Sequence, residues 1–270
     1  MDIYTLIGYA GAVLTGLVLG LLGGGGALFS IPVLVYIFHL PASKATAYSL
    51  FLVAVTASVG AVQNVRKQLV DFKAVLYYGV PSVIAVYIVR RFVMPNLPDV
   101  FFTIGDYPVD KNHFILFILS VVMFSAGYKM SKAPLVQEGE TQVNRPVDFF
   151  RLSIYAILIG SFLGLVGAGG GFLMVPALVL FGQVPMKKAL GTSLVLVAVN
   201  SFVGFSGDVN ANVEMDWKFL FYFCALSIAG LFAGSALQQV INSHQLKKYF
   251  GWMMMLVGVG ILIKEFVVRG

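Results

Sequence analysis

The chain has 270 residues, of which 59% are apolar and only 11% are charged, with a mean hydropathy of +0.90 and a formal net charge of +6. Soluble domains average about 25% charged residues, so this composition excludes a water-soluble globular protein. The apolar runs are continuous and do not alternate as the strands of an outer-membrane barrel do. The composition therefore predicts an all-α protein that crosses a membrane many times.

Apolar segments follow one another along the whole chain, and most are close to the length of roughly 20 residues that crosses a bilayer as a helix. We predict about ten helical segments, five in each half. In chain order they cover residues 3–22, 27–39, 44–64, 72–93, 112–130, 149–166, 171–182, 188–207, 217–238 and 246–267. The first segment has no basic leader and no small-residue cleavage site, so we expect a membrane span and not a signal peptide.

The second half of the chain repeats the first. A shift of 144 residues aligns 20–64 with 164–208 without a gap, and 19 of the 45 positions are identical. We divide the chain into a first repeat at 1–130, a linker at 131–148 and a second repeat at 149–270. An odd number of spans in each half gives the halves opposite orientations, which is the inverted-repeat architecture of many secondary transporters.

Basic residues indicate which side of the membrane is cytoplasmic. If the linker lies inside, the inner connections hold eleven Lys and Arg residues and the outer side holds seven. Cytoplasmic loops carry the excess of Lys and Arg. We therefore expect a cytoplasmic linker and place both termini on the outer side.

Each half contains a glycine-rich stretch within an apolar region. Residues 20–32 read GLLGGGGALFSIP, and residues 164–176 read GLVGAGGGFLMVP. The segments that follow have only 13 and 12 residues, and short Gly/Pro-interrupted segments at matched positions of two halves point to a transport site. A helix that begins inside the membrane presents unpaired N–H groups and the positive end of its dipole, which attract an anion. The predicted anion-binding backbone comprises Gly24, Gly25, Gly26, Ala27, Gly169, Gly170, Gly171 and Phe172.

Close helix packing is the alternative explanation for the glycines. The pairs Gly16 with Gly20 and Gly160 with Gly164 have the small-xxx-small spacing of helix interfaces in membranes. For these four residues we favour packing. For the two longer runs we favour a broken-helix site, because four consecutive glycines exceed what a packing face needs.

The third segment of each half carries polar side chains spaced for one helical face. Polar side chains in lipid are costly and usually face a protein interior or a wet cavity. We predict that Ser49, Thr56, Ser193 and Asn200 line the substrate cavity; a hydrogen-bonded seam between helices is the alternative.

Residues at the ends of these third segments have separate predicted roles. Thr46, Tyr48 and Thr192 could form the rim of the cavity. Lys44 and Lys188 occupy matched positions, where they either extend to the interface or draw anions into a vestibule. Asp208 is the best-placed acid for coupling to protons; a position at the water boundary is the alternative.

Several kinds of chemistry are not expected. The histidines lie at segment ends without the spacing of metal ligands, and no nucleophile–base pair or paired acid of an enzyme is present. We therefore predict no metal, no cofactor, no catalytic residue and no nucleic-acid partner. The expected partners are a small anionic substrate and the lipid bilayer. The sequence is compatible with both a monomer and a homo-oligomer.

The two repeated motifs together are similar to a known family. GLLGGGGALFSIPVLV with ATAYSLFLVAVTASVGAVQN, and GLVGAGGGFLMVPALV with ALGTSLVLVAVNSFVGFSGD, resemble the duplicated signature of the sulfite exporter TauE/SafE permeases over nearly the whole chain. The resemblance implies a permease of the bacterial cytoplasmic membrane that moves small anions, chiefly sulfite and organosulfonates, in either direction. We therefore expect a secondary transporter that works by alternating access. A passive anion channel and a carrier of an unrelated small solute are the alternatives.

Overall fold

The structure is a computed structural model that describes residues 3–24, 26–93, 96, 100–104, 107–132, 149–166, 171–209 and 215–263. Within these residues the chain is almost entirely helical. The helices are α1 (Ile3–Leu22), α2 (Ala27–Pro32), α3 (Ala42–Arg66), α4 (Phe72–Ala74), α5 (Val80–Ile88), α6 (Lys111–Lys132), α7 (Phe149–Val166), α8 (Gly171–Leu180), α9 (Met186–Val209), α10 (Trp217–Val240) and α11 (Ser243–Ile263).

The prediction of an α-helical membrane protein is confirmed. Among the described residues, five helices are long and apolar enough to cross a membrane: Lys44–Arg66, Phe72–Val93, Met186–Ser206, Trp217–Val240 and Ser243–Ile263. Short π-helical stretches at Val33–Ile37, Val75–Gly79 and Val89–Val93 continue α2, α4 and α5. Each predicted segment therefore corresponds to a helical stretch of the described chain.

A two-stranded antiparallel sheet was not predicted. Strand β1 covers Val100–Ile104 and pairs with strand β2 at Tyr107–Asp110. It lies between the fourth and fifth helical segments of the first half, outside every predicted segment. Its sequence, VFFTIGDYPVD, contains β-branched and aromatic residues on both sides of a Gly-Asp pair, a pattern typical of two paired strands. This pattern is easily overlooked in a chain whose apolar segments are otherwise helical.

The fourth helical segment of each half begins with the same cap. The side chain of Asp71 accepts a hydrogen bond from the N–H of Ala74, and that of Asp216 accepts one from the N–H of Phe219, each at 3.1 Å. The carboxylates thereby satisfy backbone donors that have no partner inside the helix. Asp71 and Asp216 therefore cap the starts of two equivalent helical segments.

The main helix pairs join one half of the chain to the other. Helix α1 packs on α10 and α7 on α5, while α3 packs on α9 and α6 on α11. Small residues permit these contacts, since a Cβ added to Gly16 would lie 1.8 Å from the carbonyl oxygen of Ser227, and one added to Gly160 would lie 2.7 Å from that of Ser82. The packing role of these glycines is confirmed, and the two contacts occur at equivalent positions of the repeat.

The loops that follow the two short helical segments also share a backbone conformation. His39 and Gln183, which are 144 residues apart, both have positive φ, at 53° and 50°. The N–H of Leu40 donates to the carbonyl of Leu34, and that of Val184 donates to the carbonyl of Leu178, so this bond is repeated at the same offset. The opposite orientation of the halves in a membrane stays a prediction, as do the domain boundaries; residues 133–148 of the linker lie outside the described residues.

Candidate functional site

The two glycine-rich stretches meet in the interior of the protein. A Cβ added to Gly24 would lie 2.4 Å from the carbonyl oxygen of Gly171, and one added to Gly171 would lie 2.7 Å from the Cα of Gly24. Residues 171–179 are all buried. The backbone of the first loop therefore rests directly on the first residue of α8, with no space for even a methyl group between them.

Gly23 turns the chain out of α1 towards the second half. Its φ of +70° is a conformation that residues with a Cβ rarely adopt. The hydroxyl of Ser193, on α9, lies within hydrogen-bond distance of the carbonyl oxygens of Gly23 (2.7 Å) and Leu190 (2.8 Å). Ser193 thus ties the first glycine-rich loop to the third segment of the second half.

Ser49, at the position equivalent to Ser193, makes a different contact. Its hydroxyl oxygen lies 2.5 Å from that of Ser30 on α2, and both side chains are buried. Ser49 therefore ties the short helix of the first half to its own third segment. Both predicted serines take part in hydrogen-bonded seams between elements.

Thr56 and Asn200 occupy equivalent positions of α3 and α9 and differ from the serines. Thr56 is only 2% exposed and its hydroxyl has no hydrogen-bond partner among the described residues. Asn200 is 3% exposed; its amide nitrogen donates to the hydroxyl of Ser82 at 3.2 Å, but its amide oxygen has no partner there. Leaving such a buried group unsatisfied costs about 1–3 kcal/mol, so a ligand that pairs with it gains that stabilisation.

Asn200 lies close to the contact between the glycines. A Cβ on Gly171 would lie 2.3 Å from Cγ2 of Val197, and Asn200 follows Val197 by three residues, one turn further along the same helix. Asn200 therefore lies one turn away from the residue of α9 that packs on the start of α8.

The remaining predicted site residues have separate outcomes. Gly25, Gly169 and Gly170, together with the side chains of Ala27 and Asp208, lie outside the described residues. A Cβ on Gly26 would lie 2.4 Å from the carbonyl oxygen of Thr15, so Gly26 packs on α1. Phe172 is completely buried in the main apolar cluster, and only its backbone is available for the predicted role.

The two predicted vestibule lysines differ in their surroundings. The Nζ of Lys44 lies 5.6 Å from the centre of the Tyr48 ring, which is a cation–π contact at the start of α3. Lys188 is exposed near the start of α9. Neither lies at the contact between the glycines.

Two hydrogen bonds at opposite ends of this region join the halves reciprocally. The N–H of Asp216 donates to the hydroxyl of Tyr48 at 2.6 Å, and the N–H of Asp71 donates to the hydroxyl of Thr192 at 2.9 Å. The acceptors are equivalent positions of the repeat, and so are the donors. Each bond connects the third segment of one half to the capped start of the fourth segment of the other.

Replacing Tyr48 with phenylalanine is expected to lower the thermal midpoint in detergent by about 2–4 °C, which corresponds to the loss of one hydrogen bond of about 1 kcal/mol. Thr192→Val is expected to have an effect of similar size, since it removes the equivalent acceptor. Tyr87→Phe is the control, because Tyr87 is half exposed on α5. Equal midpoints for Tyr48→Phe and Tyr87→Phe would show that the bond to Asp216 contributes nothing.

Two residues near the site were not singled out from the sequence. Ser30 lies in the short helix of the first half, and Ser82 lies in the fourth segment, where it contacts Asn200. Ser82 and its equivalent Ser227 are both buried polar residues within apolar segments. A polar side chain at the same place in both copies of an apolar segment was the signal that could have identified Ser82.

The sequence comparisons give the family. A sequence model described as "Sulfite exporter TauE/SafE" matches residues 9–261. The chain belongs to this family. Its members are membrane transporters, and the chain is therefore a membrane transporter of the TauE/SafE type.

Curated relatives agree with this assignment. A "Probable membrane transporter protein" of Xylella fastidiosa (strain Temecula1 / ATCC 700964) is 26% identical over 258 residues, which cover 92% of this chain and 91% of the relative. The "Probable membrane transporter protein YunE" of Bacillus subtilis (strain 168) is 26% identical over 267 residues, covering 91% of each chain. No solved structure matches this chain significantly.

Proposed function

We propose that this TauE/SafE transporter moves a small anion, sulfite or an organosulfonate, across the bacterial cytoplasmic membrane by alternating access. The observation that carries the proposal is the buried contact between Gly24 and Gly171. The unsatisfied polar atoms of Thr56 on α3 and of Asn200 on α9 support it. The bound anion would accept hydrogen bonds from the Thr56 hydroxyl and from the backbone N–H groups around the two glycine-rich loops. The amide oxygen of Asn200 would accept a hydrogen bond from a protonated anion or from a bound water.

The charge distribution favours an anion over a cation. Residues 3–70 and 149–207 contain no Asp or Glu, whereas both ranges contain Lys and Arg. These ranges include α1–α3, α7, α8 and nearly all of α9, the elements around the glycine contact. A cation in this region would lack a carboxylate partner, while an anion would meet backbone donors and the positive end of a helix dipole.

The closed contact between the loops supports alternating access. Because no methyl group fits between Gly24 and Gly171, a sulfite ion reaches the backbone N–H groups only when the loops separate. We propose that the halves have opposite orientations, so that the bonds of Tyr48 and Thr192 close opposite sides of the membrane. Breaking one bond at a time would open the site to one side and then to the other.

The proposal is tested with purified protein in liposomes that are preloaded with unlabelled sulfite. Uptake of labelled sulfite is expected to accelerate when unlabelled sulfite, an alkylsulfonate or thiosulfate is present inside, because a carrier exchanges substrates across the membrane. Protein-free liposomes and chloride-loaded liposomes are the controls. Flux without exchange acceleration would show that the protein is a passive channel and not a carrier. Absence of flux for all three sulfur anions would show that the substrate is an unrelated solute.

A further inference from the structure

The outer face of α11 carries a row of polar and aromatic residues that the transport site does not use. His244, Gln245, Lys248, Tyr249 and Trp252 line a cleft of about 410 Å³ on the first three turns of the helix. The opposite face, which includes Leu246, Phe250, Gly251 and Met254, is buried. Helix α11 therefore has one face that packs inside the protein and one that faces the surroundings.

We place that outer face against the lipid bilayer. Ser243–Ile263 is one of the helices long and apolar enough to span a membrane. Its first turns then lie at the level of the lipid headgroups, where Trp and Tyr are enriched. Trp252 and Tyr249 are 53% and 56% exposed, and Trp252 lies about 12 Å further along the helix axis than His244, close to the acyl chains.

The basic side chains around the cleft favour an anionic lipid headgroup. Lys248 and His244 can both donate to a phosphate, and Gln245 offers an amide donor between them. The contact between Gly127 and Gly251 places the end of α6, with exposed Lys129 and Lys132, beside the start of α11. Neither α6 nor α11 contains an Asp or Glu that would repel an anionic lipid.

We propose that this cleft is a binding site for the headgroup of an anionic phospholipid. Lys248 and His244 bind the phosphate, and Tyr249 and Trp252 pack against the glycerol and the upper acyl chains. The site is independent of which substrate the transporter carries. Basic clusters at the ends of membrane helices are suited to anionic lipids, each Lys near the surface contributing a several-fold preference.

The two tryptophans of the chain provide a direct test. Trp217→Phe leaves only Trp252, and Trp252→Phe leaves only Trp217, which is 59% exposed at the start of α10. Trp217 is flanked by Asp216 and Lys218, whose charges cancel. Trp217 therefore serves as the reference tryptophan, at a helix start whose neighbouring residues carry no net positive charge. Each single-tryptophan protein is reconstituted in phosphatidylcholine vesicles with a minor fraction of brominated phosphatidylglycerol or of brominated phosphatidylcholine, and bromine quenching of fluorescence is measured.

We expect brominated phosphatidylglycerol to quench Trp252 more than brominated phosphatidylcholine does, and the two lipids to quench Trp217 equally. Lys248→Gln is expected to reduce the preference at Trp252 about fivefold. Lys218→Gln, which also removes one exposed lysine near the start of a long helix, is the matched control and should leave that preference unchanged. Equal quenching of Trp252 by both lipids, or equal effects of Lys248→Gln and Lys218→Gln, would overturn the proposal.

Discussion

Replacing Gly171 with alanine is expected to abolish transport and to lower the free energy of unfolding by about 1–3 kcal/mol, the usual cost of overpacking a buried site. The added methyl group would lie 2.3 Å from Cγ2 of Val197 and 2.7 Å from the Cα of Gly24. The valine side chain can move, but the Gly24 backbone is fixed by the turn out of α1. The glycine-rich loop and the start of α8 must therefore separate.

Gly260→Ala is the matched control for this substitution. Gly260 lies in α11 and a Cβ there would have nothing within 4 Å, so alanine should raise the stability by up to about 1 kcal/mol through its helix propensity. Thermal unfolding in detergent and exchange in liposomes measure the two effects. The double variant Gly171→Ala with Val197→Ala should recover only part of the stability, since the clash with Gly24 remains. Wild-type transport by Gly171→Ala would exclude the close contact of the loops as a part of the site.

Replacing Thr56 with valine is expected to separate function from stability. Valine has nearly the shape of threonine, and the Thr56 hydroxyl has no partner among the described residues, so the free energy of unfolding should stay constant or rise by about 1 kcal/mol. If that hydroxyl donates to a bound anion, its loss removes about 1.5–3 kcal/mol and lowers the substrate affinity by about tenfold to a hundredfold. The concentration dependence of sulfite exchange measures this change.

Thr15→Val is the matched control for Thr56→Val. Thr15 is also buried, but its hydroxyl donates to the carbonyl of Gly11 within α1, so its removal should leave the substrate affinity unchanged. Asn200→Leu extends the test to the equivalent position of the second half and should impair transport more, because the amide contacts Ser82 as well. Unchanged affinity in Thr56→Val would remove this hydroxyl from the site.

Part of the candidate site was predictable because the repeat marks it twice. The glycine-rich stretches, the four polar residues of the third segments and the capping acids occupy matched positions, and an apolar segment makes any polar residue conspicuous. The missed residues have weaker signals. Ser82 is a single small polar residue in a long span, and Ser30 has methionine at its equivalent position, Met174, so the comparison of the halves does not reveal it.

The sequence alone determined that the protein is a polytopic helical membrane protein, where its helical segments lie, and which residues correspond between the halves. These properties depend on local composition and periodicity. Apolar spans of about 20 residues and the glycine runs that interrupt them can be recognised directly in the sequence. Only the tertiary structure decided that Gly24 rests on Gly171, that Ser193 bonds to the Gly23 carbonyl, and that Thr56 and Asn200 keep unsatisfied polar atoms. Such contacts join residues more than a hundred positions apart, and no local pattern specifies the distance or the hydrogen-bond geometry between them.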